Sequence, residues 1–156
     1  MSYAISTPVL VITIAVFFAL ARGSYRSFGV TQTVVRVLVA APLLLSAVAL
    51  HFLHAQLTAS VIPPFFPARV SLAVFTGICE LAGGIGLFVP RFRRAAAFWT
   101  AVMLVAIFPA NVYFAGKVVA GFPFPAVPLR LAIQVVYIVL VLLAGFGLPR
   151  SNDRAG

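Results

Sequence analysis

Glu80 is the residue with the most chemistry to offer, because almost everything near it in the chain is apolar or small. An ionisable side chain at the centre of a hydrocarbon-embedded helix costs about 2.5–3.5 kcal/mol or more, so such a group marks a candidate site. Ala73, Gly77 and Gly84 share its helical face. A stripe of small residues lets helix backbones approach closely, so Glu80 is expected to face other helices. Buried there, a carboxyl can be held neutral at pH 7. Two roles stand open: a protonatable or hydrogen-bonding site, or a neutral carboxyl that joins helices.

Other polar residues fall at spacings that suggest company for it. His51 and His54 are three apart, which places them on one helical face. They suit proton handling with Glu80, or plain hydrogen bonding to it or to a backbone carbonyl. With Glu80 as the one acidic neighbour, no metal is expected. Asn111 follows Pro109 by two residues. A proline inside a helix removes a donor, here freeing the carbonyl of Val105, and predicts a kink. Arg130, Gln134 and Tyr137 stand at i, i+4 and i+7, one polar stripe along a helix. Cys79 adjoins Glu80 but points about 100° away on a helix, and no chemistry is assigned to it.

The elements that must position these residues are membrane spans. A bilayer core of about 30 Å requires roughly 20 apolar residues per helix. Five stretches fit: residues 4–21, and about 34–57, 70–89, 95–116 and 129–148. The first carries Ala19-Leu20-Ala21, a cleavage-like triplet, but residues 1–3 lack Lys and Arg. A signal peptide has a positive n-region, so this stretch is read as an uncleaved anchor. Basic residues gather on the cytoplasmic side of membrane proteins. Placing the N-terminus outside puts Arg22, Arg26, Arg36, Arg91, Arg93, Arg94, Arg150 and Arg154 inside. Only Arg69, Lys117 and Arg130 remain outside. In this orientation His51, His54, Asn111, Arg130 and Gln134 fall in the outer half of the bilayer and Glu80 near its middle. Four helices then offer polar groups to one region. If they turn these faces inward, they form a polar pocket open to the outer side. The outer loops, 58–69 and 116–129, hold three prolines each and several phenylalanines, and read as lids or as ordinary interfacial loops.

Composition agrees with the spans. The chain of 156 residues is 63% hydrophobic and 8% charged, where a water-soluble domain carries roughly 25% charge. Its net charge of +9 would suit nucleic acid only if clustered on a soluble face. Scattered between apolar runs, it sets topology and meets lipid headgroups, so the expected partner is the bilayer and not nucleic acid. A single cysteine excludes an internal disulfide or a C-x-x-C exchange pair.

From residue 36 onward the chain resembles the DoxX family of small bacterial membrane proteins. The likeness runs through His51-Phe52-Leu53 and Ile62-Pro63-Pro64. It continues through Gly77-Ile78-Cys79-Glu80-Leu81-Ala82-Gly83-Gly84-Ile85-Gly86-Leu87, Pro90 and Arg93-Arg94. Phe108-Pro109-Ala110-Asn111, Leu129-Arg130, Gln134 and Tyr137 complete it. The resemblance implies an all-α membrane protein, a four-helix transmembrane bundle over about 34–148 in the bacterial inner membrane. The N-terminal helix, 1–24, is then extra to the family core, and 149–156 is a short cytoplasmic tail. It also implies a redox setting, since some members are similar to subunits of quinone-linked sulfur oxidation. Others are associated with oxidative-stress and thiol defence complexes. A related branch uses paired cysteines, which this chain lacks.

Three functional expectations follow. The leading one is a redox-associated accessory subunit whose pocket takes a small hydrophobic or quinone-like molecule. In it Glu80 and a histidine bond to the ligand, while Arg130 and Gln134 orient it. No resident cofactor is expected, with a quinone the one candidate, and other membrane or redox proteins are the candidate partners. The second is a small proton-coupled carrier with Glu80 titrating. The third is a structural protein whose polar groups only fix packing. An enzyme in its own right finds no nucleophile–base pair, phosphate loop or haem motif in support.

Overall fold

The computed structural model describes residues 7–28, 30–119 and 121–147. Residues 1–6 and the tail 149–156, with Arg150 and Arg154, lie outside the described residues. The elements are α1 (Thr7–Phe28), α2 (Val30–Ser46), a π-helical turn (Ala47–Phe52), α3 (Ala55–Ser60), α4 (Arg69–Gly86) and α5 (Arg93–Ala106). After these come α6 (Phe108–Tyr113), a hairpin of β1 (Val118–Val119) and β2 (Phe122–Pro123), and α7 (Val127–Phe146). Among the described residues, four helical stretches are long and apolar enough to cross a membrane: Val30–Phe52, Arg69–Gly86, Arg93–Tyr113 and Val127–Phe146. They match the last four stretches expected from sequence. In α1 the apolar stretch is shorter, Ile14–Gly23; the expected first span begins at residue 4, outside the described residues.

The four long helices pack as a ring in the order α2, α4, α5, α7, and α1 lies against α2. Small residues set the register. A β-carbon at Gly84 would press on Leu44, one at Gly86 on the Ala96 methyl, and one at Gly145 on the Ala97 methyl. Gly77 also lies against His51, Gly83 against Thr100 and Gln134 on Leu104, and Arg36 and Val39 are bonded to Ala144 and Tyr137. The paired positions rise on one helix as they fall on the next, so each helix is antiparallel to its ring neighbours. Without a hydrophobic drive between helices in lipid, such close backbone packing is what holds them. The core of Val39, Leu43, Leu87, Ala97, Ala101, Leu104, Val141 and Ala144 is concentrated away from the end that carries α3 and the hairpin.

Three features differ from the expectation. The arginines of residues 22–36 suggest an inner loop there, but α1 reaches Phe28 and α2 begins at Val30. Arg36 is therefore inside α2 and fully buried at 0% exposure. Its Nε donates to the Ala144 carbonyl in the last turn of α7, 3.0 Å away, where helix carbonyls lack helical donors. Second, the span beyond Ser46 winds as a π turn and breaks at Leu53–His54. Third, the expected kink is a break at Ile107 between α5 and α6, and the 116–129 loop contains the small hairpin, with Gly121 at φ 86°.

Candidate functional site

The face predicted for Glu80 is the one that is buried: Ala73, Gly77, Glu80 and Gly84, joined by Gly83. Gly77 lies against the π turn so closely that a β-carbon there would meet the Cβ of His51. That approach brings two groups together. His51 Nδ1 lies 2.7 Å from the Ala73 carbonyl oxygen, and Nε2 lies 3.6 Å from Glu80 Oε2. The carbonyl can only accept, so Nδ1 carries a proton and donates it. In the neutral ring Nε2 is then a lone pair aimed at the carboxyl. One proton can sit between them, on the carboxyl facing Nε2 or on Nε2 facing the carboxylate. At 3.6 Å this is a near pair, short of a hydrogen bond. The Ser46 hydroxyl on α2 faces the Glu80 carboxyl and can donate to it.

His54 does not share His51's face. A π turn advances by more residues than an α turn, and the chain then leaves the helix, so His54 becomes the residue that precedes α3. Both histidines still line the same cleft.

A second group forms where α6 meets α7. The break at Ile107 exposes the Leu104 carbonyl, which accepts from Gln134 Nε2. Gln134 Oε1 accepts from Asn111 Nδ2 at 2.9 Å, and Asn111 Oδ1 accepts from Arg130 Nη2 at 3.0 Å. Each amide thus uses both its ends, and the chain of bonds finishes on the guanidinium. The carbonyl engaged is that of Leu104, one residue before the one the proline was expected to free. Arg130 Cζ also lies 4.3 Å from the Phe114 ring centre and 5.3 Å from that of Phe124, within cation–π range. The two rings meet edge to face at 4.8 Å.

Both groups open onto one cleft of about 1540 Å³. Ser46, His51, His54, Glu80, Thr100, Asn111 and Arg130 line it, among many apolar side chains. Gln134 and Tyr137 do not line it. Gln134 stands behind Asn111. Tyr137 continues the stripe on α7 but turns to α2, where its hydroxyl donates to the Val39 carbonyl at 2.6 Å. The cleft is mostly apolar, and at the α3 end it is roofed by Leu57, Ile62, Phe66, Phe114 and Phe124.

Three buried polar atoms on the cleft have no hydrogen-bond partner: Glu80 Oε2, Thr100 Oγ1 and Arg130 Nε. A buried polar atom without a hydrogen bond costs about 1–3 kcal/mol; these three come from α4, α5 and α7, with Glu80 Oε2 near His51 Nε2 and Thr100 Oγ1 close against Gly83. Sequence reasoning missed Thr100 and Ser46. Threonine and serine are common in membrane helices because they bond back to their own turn, which leaves no signal of a different use. Ser46 precedes His51 by five residues, a shared face only on a π turn. Among the described residues no three His, Cys, Asp or Glu side chains converge as metal ligands would.

No curated protein and no solved structure matches the chain. One protein family does, described as Domain of unknown function (DUF8561), over residues 39–144. That segment runs from α2 through most of α7 and leaves α1 outside. It covers about two thirds of the sequence, and the chain belongs to that family.

Proposed function

We propose that this protein is a membrane-embedded binding subunit whose cleft holds a small hydrophobic, quinone-like molecule, with Glu80 and Arg130 as its polar contacts. The observation that carries the reading is the set of unpartnered atoms of Glu80, Thr100 and Arg130 on one apolar cleft. Ligand sites are largely apolar with a few placed polar groups, and this cleft has that make-up. His51 orders the Glu80 carboxyl and can exchange a proton with it. Asn111, backed by Gln134, orients Arg130. The likeness to the DoxX family supports a redox-associated setting, a four-helix core and an extra N-terminal membrane helix. The distribution of arginines supports an N-terminus outside and a C-terminus inside a bacterial plasma membrane.

A decyl-tailed benzoquinone titrated into the purified protein tests the reading. Saturable binding is expected, weakened at least tenfold in Glu80→Gln. No saturable signal, or one unchanged in Glu80→Gln, removes the proposal. A proton-coupled carrier is the second reading, favoured by the single proton that Glu80 and His51 can share. Uptake into proteoliposomes driven by an imposed pH gradient would distinguish it.

A further inference from the structure

The way into the cleft is decided by which residues form its rim. At the α3 end the roof is apolar and partly closed: Ile62 and Phe114 are among the buried residues. Along its side the cleft follows the seam between α4 and α5, and there its lining includes Phe75 and Trp99, 61% and 65% exposed. Both lie within the stretches long enough to cross a membrane, Arg69–Gly86 and Arg93–Tyr113, on either side of the seam. Small residues keep this rim low: Ala82 on α4 and Ala106 on α5 belong to it and are themselves exposed. At its floor α4 and α5 touch, with Gly83 against the Thr100 hydroxyl and Gly86 against Ala96. Beyond that floor α6 turns away at Ile107 and packs on α7. The gap therefore widens from a closed floor, and its side faces the depth at which acyl chains lie.

We propose that this seam is a lateral portal. Its occupant is a single-chain amphiphile dissolved in the bilayer, with a neutral head of hydrogen-bonding oxygens inside and its tail left among the lipids. The inference rests on the binding reading above and adds the route and the tail. With the shared proton on Glu80, its carboxyl and the Arg130 Nε–H, both without a hydrogen-bond partner, can donate to the oxygens of such a head. A phospholipid suits it poorly, because its phosphate would exchange water for a mostly apolar cleft in which Arg130 is the one arginine or lysine among the lining residues. An apolar tail that never leaves the acyl region also needs no roof opening.

Trp99 is the sole tryptophan and stands on the rim, so its fluorescence reports the portal directly. The full chain is reconstituted in vesicles and titrated with a decyl-tailed benzoquinone and with the same ring lacking the tail. Each concentration is expressed as that within the membrane. Saturable quenching by the tailed compound, at least tenfold tighter than by the bare ring, is expected. Ala82→Phe should weaken it tenfold or more while circular dichroism stays unchanged. If Ala82→Phe fails to fold, Ala106→Phe places an obstacle on the α5 side of the rim. Equal affinity for tailed and bare rings, or normal binding in a folded rim variant, overturns the portal and leaves the binding reading intact. No saturable quenching by either compound overturns both. A phospholipid with mid-chain bromines should quench Trp99 more than aqueous iodide does; the reverse order also overturns the portal. Binding of the tailed quinone abolished by added phospholipid headgroup analogue, glycerophosphate, would overturn the neutral-head assignment.

Discussion

Gly77 of α4 lies directly beneath the β-carbon of His51, in the place where any larger residue would put its own first side-chain atom. The contact lets the His51 ring reach both the Ala73 carbonyl and the Glu80 carboxyl. Gly77→Ala should force the π turn away from α4 and destabilise the protein by about 1–3 kcal/mol, as overpacking does. Gly23→Ala in α1, where nothing stands within 4 Å, should be neutral or stabilising by about 0.5–1 kcal/mol. Unfolding midpoints in mild detergent compare the two; equal effects would contradict the close approach.

Glu80→Gln and Glu80→Leu separate holding the bundle together from holding a ligand. The amide of Gln can accept from Ser46 and offer an N–H to His51 Nε2, so stability should fall by less than about 1 kcal/mol. Leu satisfies neither neighbour and should cost about 1–3 kcal/mol. Ligand titration should be impaired in both variants, thermal unfolding chiefly in the second.

Removing Gln134 should break the relay at its middle. Gln134→Leu leaves the Leu104 carbonyl and the Asn111 amide without their partners. Polar contacts between membrane helices are worth about 0.6 kcal/mol on average and up to roughly 1.7, and a loss near the upper end is expected here. A double-mutant cycle with Asn111→Ala measures the coupling; additive effects would show that the two amides act separately.

Arg36 and Arg91 give opposite expectations despite similar placement by charge alone. Arg36→Ala empties a fully buried site and removes the bond to Ala144, for a loss of about 2 kcal/mol or more, since hydrogen bonds from charged groups are worth roughly 1.5–3 kcal/mol. Arg91→Ala, at an exposed position, should stay within about 0.5 kcal/mol. Denaturant titration of both variants decides it.

The proposed orientation predicts which thiols a membrane-impermeant reagent reaches. In a Cys79→Ser background, Phe65→Cys should be labelled from the periplasmic side of intact cells. Ser151→Cys should be labelled only after lysis. The opposite pattern would reverse the topology.

Much of this architecture is written in local order along the chain. Four apolar stretches of span length, the Ala73–Gly84 small face and the i, i+4 pairing of Arg130 with Gln134 are periodic, and periodicity follows from helix geometry alone. That same geometry hides whatever departs from it. The π turn moves His54 off the face of His51 and brings Ser46 onto it. The break at Ile107 offers the Leu104 carbonyl to Gln134, and Tyr137 leaves its stripe for Val39. Arg36 reads as an inner-side residue by charge, yet it lies within α2 and is buried against the Ala144 carbonyl of α7. The sequence alone determined the spans and the polar residues they carry. Which atoms those residues meet, and which three are left without a partner on the cleft, was decided by packing, because such contacts join positions far apart in the chain.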